Sequence, residues 1–244
     1  MDVKANRFLV VYSGLLTVVF AVTVLAGAAG LGKASFEEVD VQRINVREAD
    51  GRLRMVISGN TRAPGAYLHG EEHPHPNAGK RGAGMWFLND EGTESGGLSH
   101  QGKTLADGKS AATMQLAFDQ YDQDQTLTLK HEEYDGVRYT GLRIDDRPDK
   151  PIGELVAEVE RARALPQPEQ GREIARLEAA YPRIGRLFVG RDEQRASLLD
   201  LRDAAGKTRL RLRVAADGTA SIAFLDENGD VQGTLTPEVL AGLQ

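Results

Sequence analysis

The chain has 244 residues, of which 41% are hydrophobic and 27% charged, and it contains no cysteine. These proportions are typical of a folded globular protein rather than a disordered one, and a chain without cysteine cannot use a disulfide framework. The formal net charge is -6, and no segment carries the dense basic patch that a phosphate backbone requires, which argues against a nucleic-acid partner.

The first element along the chain is a segment without charged residues, residues 8–32. At about 1.5 Å per helical residue it is long enough to cross a hydrocarbon core of about 30 Å, so the sequence predicts a transmembrane helix there. Lys4 and Arg7 precede it. This bias in basic residues places residues 1–7 in the cytoplasm and residues 33–244 outside. The prediction is a single-pass signal anchor in the inner (plasma) membrane.

A cleaved signal peptide is the alternative for this segment. The small residues Ala26, Gly27 and Ala28 follow the apolar run, as a signal peptidase requires, and cleavage near Ala28 would release a secreted or periplasmic protein. The apolar run over residues 8–25 is longer than the usual core of a signal peptide, which favours the anchor. In both alternatives the remaining chain is exported.

Residues 33–244 alternate short apolar runs with acidic turns that end in glycine. Glycine accepts the positive φ of tight turns, and the flanking runs alternate apolar and polar residues as half-buried strands do. The sequence therefore predicts a mainly β, antiparallel, hairpin-rich extracytoplasmic domain with a degenerate repeat. The turn candidates are residues 48–51, 89–92, 203–206, 216–218 and 226–229.

The apolar period changes from 2 to 3.6 between about residues 152 and 183, with a Pro-rich break at residues 165–168. This pattern predicts an α-helical hairpin inserted in the β domain. The helices are expected to cover one face of the sheet, and the alternative is that their charged side serves as a docking surface. The two apolar stripes are Ile152, Leu155, Val156 and Val159, and Ile174, Leu177 and Tyr181.

Four segments resemble a known group of proteins: RINVRE at 43–48, FLNDEGTESGGL at 87–98, FDQYDQDQ at 118–125 and FLDENG at 224–229. They are similar to uncharacterised bacterial membrane-anchored or exported proteins with degenerate β-hairpin repeats. The resemblance covers most of residues 40–236. It implies a hairpin fold and a bacterial cell-envelope setting, and it assigns no activity and no catalytic residue.

Three of the five histidines, His69, His73 and His75, lie close together in the sequence beside Glu72. Imidazole and carboxylate groups are the ligands that zinc and copper prefer. The segment is a candidate site for a divalent metal with these three histidines as ligands. A polar surface loop is the alternative, because the neighbouring prolines favour an extended loop and no cysteine strengthens the pattern.

A second candidate metal site comprises Asp119, Asp122 and Asp124. The apolar alternation changes parity between Phe118 and Leu127, which predicts a turn or bulge, and three carboxylates on one loop could bind a hard cation such as calcium. The EF-hand pattern does not fit, because Leu127 occupies the position of the required glycine. A solvated acidic turn is the alternative.

The stretch from Glu94 to Gly97 has no counterpart in the other predicted hairpins. Its two glycines would let a ligand approach the strand, or they mark a β-bulge. Trp86, the single tryptophan, is expected to be a core residue. No known nucleophile, phosphate-binding or dinucleotide motif occurs, so the sequence predicts no catalytic residue and no cofactor.

The function that the sequence favours is a single-pass, membrane-anchored, extracytoplasmic binding or scaffold module of the bacterial cell envelope. Its predicted partners are the membrane, through the N-terminal helix, and an envelope protein. The absence of catalytic motifs favours a module without enzymatic activity. The alternative is a metal-binding protein or metal-dependent enzyme that uses the histidine loop, with Glu94 as an acid-base group in the same cleft.

Overall fold

The computed structural model describes residues 3–28, 34–74 and 81–242. Its contacts divide the chain into two units, Met1–Val41 and Gln42–Gln244. The first contains α1 (Val3–Ala28), which confirms a helix where the sequence predicts one. Among the described residues, no helix combines the length and the apolar character needed to cross a membrane. Residues 29–32 of the predicted span lie outside the described part, and the transmembrane assignment stays a prediction.

The second unit is mainly β, with one large antiparallel sheet, as predicted. Three helices accompany the strands within the described part of this unit: α2 (Ile152–Ala162), α3 (Glu169–Ala179) and the short α4 (Pro237–Ala241). A 3-10 turn spans Asn60–Arg62. The strands are β1 (Arg43–Arg47), β2 (Leu53–Ser58), β3 (Ala66–Leu68), β4 (Glu71–His73), β5 (Ala83–Leu88), β6 (Glu94–Thr104), β7 (Ser110–Asp119), β8 (Gln125–Tyr134), β9 (Val137–Asp146), β10 (Ile184–Arg191), β11 (Ser197–Arg202), β12 (Thr208–Val214), β13 (Ala220–Leu225) and β14 (Val231–Leu235).

Twelve strands form the main sheet in the order β1-β2-β5-β6-β7-β8-β9-β10-β11-β12-β13-β14. Each strand pairs antiparallel with the next main-sheet strand along the chain, so the sheet is an uninterrupted meander. Strands β3 and β4 pair only with each other, as a separate hairpin inserted between β2 and β5. The helical hairpin α2–α3 is inserted between β9 and β10.

The predicted acidic turns connect consecutive strands, and most share one hydrogen-bond pattern. In the first, the Gly51 N–H donates to the Glu48 carbonyl and the Glu48 N–H donates to the Arg52 carbonyl. The glycine has a φ of 90°, a left-handed value that other residues reach only with strain. In a later turn, the carboxylate of Asp203 accepts backbone N–H groups, which lowers its pKa. These acidic residues are therefore explained by turn formation.

The helical hairpin is confirmed and is fixed to the sheet through the turn between β7 and β8. The Ile152 N–H donates to the Asp122 carbonyl at 2.7 Å. The buried amide of Gln123 donates to the Lys150 carbonyl at 2.6 Å, just before α2 begins. Residues of both helices line a cavity together with residues of the sheet, as predicted for a covering element, whereas Tyr181 of the second predicted stripe lies beyond the end of α3.

One face of the sheet, called the covered face below, contains the hydrophobic core. Val56, Trp86 and Leu88 of the sheet form a buried cluster with Tyr67 of β3. Trp86 is only 3% exposed, which confirms the prediction that it is a core residue. The β3–β4 hairpin therefore provides the second layer that this part of the sheet needs.

The opposite face, called the apolar face, carries two continuous cross-strand rows of apolar residues. Strand alternation places both rows on the side away from Val56 and Trp86. Each of the twelve strands contributes one residue to each row, and the two exceptions to apolar character are Gly96 and Gly233. The first row is Val46, Met55, Phe87, Gly96, Phe118, Leu127, Ile144, Leu187, Leu201, Leu210, Phe224 and Gly233, and the second is Ile44, Ile57, Met85, Leu98, Leu116, Leu129, Leu142, Val189, Leu199, Leu212, Ile222 and Leu235.

Candidate functional site

A cavity of about 360 Å³ lies between the covered face, the β3–β4 hairpin and the helical hairpin, and is called the main cavity below. One wall comes from β3 and the helical hairpin and is mostly apolar, and the exposed charged residues Glu160, Arg163 and Glu178 also border it. The floor is polar and comes from the sheet and the residues just before β5. The apolar lining includes Ala66, Leu68, Ile152, Leu155, Val156, Val159 and Ile174, and the polar floor includes Arg81, Glu94, Asp119, Asp124 and Gln125.

Arg81 and Glu94 form a largely buried ion pair on this floor, with exposed side-chain fractions of 12% and 17%. The Arg81 guanidinium also donates to the Gly65 carbonyl at 2.7 Å and lies 5.1 Å from the centre of the Trp86 ring. Burial raises the pKa of Glu94, and the charge of Arg81 opposes that rise. Arg81 therefore ties the segment leading into β3 to the sheet beneath the cavity.

Asp119 supplies the group on the floor whose hydrogen-bonding capacity is unused. Its Oδ1 atom is buried and has no hydrogen-bond partner among the described residues. Burial raises the pKa of Asp119 to about 8, and the nearby carboxylates of Glu94 and Asp124 also raise it. A buried polar atom without a partner costs free energy, so a ligand that completes its hydrogen bonding gains affinity.

The other two predicted aspartates have different surroundings. The Asp124 carboxylate accepts a hydrogen bond from Arg147 at 3.0 Å and a second from the Gln125 N–H at 2.9 Å. Asp122 has a φ of 50°, so a non-glycine residue takes the left-handed conformation in this turn. Its Oδ1 atom is also buried without a partner among the described residues. The parity change in the sequence thus corresponds to an unusual turn, as predicted.

The histidine loop reaches this turn with one of its predicted ligands. His69 Nε2 lies 3.9 Å from Asp122 Oδ2, and the His69 N–H donates to the Thr93 hydroxyl at 3.0 Å. His73 ends β4 opposite Ala66, and His75 lies outside the described residues. Over residues 3–28, 34–74 and 81–242, no three histidine, aspartate or glutamate side chains are grouped so that they could hold a metal ion. Both metal sites stay predictions.

Gly96 and Gly97 accompany a β-bulge, one of the two alternatives that the sequence left open. Leu88 pairs with Glu94 and Phe87 pairs with Gly96, which leaves Ser95 without a partner across the ladder. Gly96 has a φ of 137°, and a side chain there would meet the Ala117 carbonyl. A second cavity of about 180 Å³ also borders both glycines, together with Glu94 and Asp119. The Glu94–Gly97 stretch and the aspartate segment that begins at Asp119, which the sequence singled out separately, thus border the same cavity.

Sequence reasoning missed Arg81, Gln123 and Arg147. Arg81 follows a Gly-rich segment and pairs with a glutamate in another strand, a contact for which the sequence gives no local signal. Gln123 and Arg147 fix the β7–β8 turn to the chain leading into α2, and both are polar residues in segments that read as surface loops. Their burial follows from the helical insert, which covers this end of the sheet.

The chain matches no protein-family model, no curated protein and no solved structure. The resemblance to envelope proteins with hairpin repeats therefore stays a prediction.

Proposed function

We propose that the protein is a membrane-anchored binding module of the bacterial cell envelope that holds a small ligand in the main cavity. The observation that carries the proposal is the combination of an apolar wall with a buried, unpartnered carboxyl oxygen on Asp119. Ligand sites commonly combine a mostly apolar lining with a few polar groups, in volumes of about 300–1,000 Å³. The main cavity has this character.

The chemistry of the floor defines the ligand class. Arg81 is already neutralised by Glu94, which leaves Asp119 as the group with an unmet hydrogen bond. Burial favours the neutral form of the Asp119 carboxyl, and a ligand ammonium group would reverse this by favouring the carboxylate form and donating to it. A ligand hydroxyl group would donate to either form, whereas a ligand carboxylate would add a negative charge beside Glu94 and Asp124. The proposed ligand therefore has a compact apolar body and a donor head group, with an amine preferred over an alcohol.

The anchor in this proposal is supported by the sequence. Residues 8–32 carry no charged residue, and Lys4 and Arg7 precede them. Large apolar side chains on α1, including Phe8, Val11 and Phe20, are exposed and require an apolar environment. Alkaline extraction of membranes tests the anchor, because an anchored chain stays in the pellet and a chain cleaved near Ala28 is released.

The ligand proposal is tested with three probes that share one apolar body: cyclohexylmethylamine, cyclohexylmethanol and cyclohexanecarboxylate. Trp86 is the single tryptophan, and its ring lies 5.1 Å from the guanidinium of Arg81 on the floor of the main cavity, so its fluorescence reports on binding to the full chain in lipid nanodiscs. Probes of this size have dissociation constants on the order of 1 mM. The expected ranking is amine, then alcohol, with the carboxylate weakest.

Asp119→Asn is expected to weaken binding of the amine about tenfold, a loss of roughly 1.4 kcal/mol for a charge-assisted hydrogen bond. Asp149→Asn changes an exposed aspartate outside the cavity and serves as the matched control. Strongest binding of the carboxylate would contradict the proposed ligand class. Failure of all three probes to bind below 10 mM, a limit about tenfold above the expected constant, would overturn the cavity as the binding site.

A further inference from the structure

The apolar face is exposed along its length, although its composition is that of a protein core. Among its central residues, Phe118 is 52% exposed and Leu129 is 50% exposed. Residues near both ends of the sheet, such as Ile44 in β1 and Phe224 in β13, are 42% and 48% exposed. An exposed apolar surface of this kind marks a site of contact with another molecule.

The size of the face matches that of a stable protein interface. Twelve strands at about 4.8 Å spacing give a width of about 53 Å. Two rows about 7 Å apart form a band about 14 Å high, so the band measures about 750 Å². Specific interfaces bury about 800 Å² on each partner, so this band alone is large enough for one.

The shape of the face favours one partner. Two twisted sheets pack face to face about 10 Å apart only when their twists agree and both inner faces are apolar over the same length. A second copy of this chain meets both conditions, because it presents the same twelve-stranded sheet with the same two rows. A twofold axis through the middle of the face would lie near Leu129 and Leu142, which pair at the centre of the sheet.

We propose that two copies of this chain associate through their apolar faces and form a two-layered β-sandwich. The contact uses the opposite side of the sheet from the main cavity, so each copy keeps its cavity accessible. The inference is independent of the proposed ligand.

The natural chain has no cysteine, so single cysteines introduced by mutation can report on this contact in the full-length protein in its membranes. Leu129→Cys places a thiol on the apolar face near the expected axis. Lys130→Cys, one residue further along β8, places it on the opposite face and is the matched control. Mild oxidation is expected to give disulfide-linked dimers with Leu129→Cys and monomers with Lys130→Cys.

Mass measurement on the wild-type chain in nanodiscs is expected to give two copies. Leu129→Lys is expected to raise the dimer dissociation constant at least tenfold, whereas Lys130→Gln leaves it unchanged, and circular dichroism verifies that both variants are folded. Monomeric wild type would overturn the proposal, as would equal cross-linking at positions 129 and 130. A different protein bound to the apolar face in place of the second copy would overturn it as well.

Discussion

The two halves of the covered face are stabilised in different ways. In the N-terminal half, Val56 and Trp86 are buried beneath the β3–β4 hairpin, with Tyr67 packed against them. In the C-terminal half, the buried side chain of Asp200 in β11 is held by arginines from its own and the neighbouring strand. One half uses a second layer of chain, and the other uses lateral contacts within the sheet.

The contacts of Asp200 explain how the second arrangement works. Its two carboxylate oxygens accept hydrogen bonds from Arg211 at 2.6 and 2.7 Å, and Arg202 lies 3.5 Å away. Asp145 has a similar environment between Arg143 and Arg183. The aliphatic parts of arginine side chains shield the sheet while their charged ends remain near water. Lateral ion pairs within the sheet thus hold the buried carboxylates Asp145 and Asp200 in this half.

The largest expected effect comes from removing the core of the first half. Trp86→Ala leaves a cavity beneath the β3–β4 hairpin and is expected to lower the free energy of unfolding by about 3–5 kcal/mol. Urea denaturation followed by circular dichroism measures this loss. Tyr121→Ala removes an aromatic side chain that is 67% exposed, and a comparable loss in that variant would contradict the assignment of the core.

The second half is tested by breaking one of its ion pairs. Asp200→Asn removes the charge from a buried bidentate pair and is expected to cost about 2–3 kcal/mol. Asp146→Asn is the control, because Asp146 pairs with Arg186 at a site that is 50% exposed, and such pairs contribute less than about 1 kcal/mol. Equal losses in the two variants, measured by thermal unfolding, would show that burial of Asp200 is not what stabilises this half.

The main cavity differs from both halves in its response to pH. The pKa of Asp119 is raised from 3.8 to about 8 in the folded chain, so the folded state binds this proton more tightly than the unfolded state does. The stabilisation that this bound proton gives the folded chain is complete below about pH 4 and is lost as the pH rises towards about 8. We expect Asp119→Asn to reduce the loss of stability between pH 5 and pH 7 by up to about 2 kcal/mol.

Denaturation curves at the two pH values measure this difference. Asp149→Asn, at an exposed position, is expected to keep the pH dependence of the wild type. A pH dependence that Asp119→Asn leaves unaltered would show that this carboxyl does not titrate differently in the folded chain.

The smallest expected difference separates two glycine turns. Gly92 and Gly218 both have positive φ, so an alanine costs about 1 kcal/mol of backbone strain at either position. At Gly92 the new Cβ would also lie 2.7 Å from the backbone of Gly70 in the β3–β4 hairpin, whereas at Gly218 the space is open. Gly92→Ala is therefore expected to destabilise by about 1 kcal/mol more than Gly218→Ala. Equal melting temperatures would indicate that the hairpin adjusts freely.

Local patterns predicted much of the fold, because a turn glycine such as Gly51 and an amphipathic stripe such as that of α2 are specified by neighbouring residues. The candidate site could not be predicted in the same way, because it is formed by contacts between segments that are distant in the sequence. Glu94 and Asp119 were each singled out by local irregularities, yet their meeting on one floor follows from the pairing of β6 with β7. Arg81 gave no local signal, since its role is to join a strand with a separate hairpin.

The meander order of the main sheet has a mechanical consequence. Each strand is bonded only to its nearest main-sheet neighbours along the chain, and β1 and β14 form the two outer edges. A pulling force between the N-terminus and the C-terminus would load the hydrogen bonds of one edge strand at a time, as in the opening of a zipper. Arrays in which each unit contacts only adjacent units lose those units sequentially. We expect the sheet to extend in a series of small, low-force steps and to absorb tension gradually.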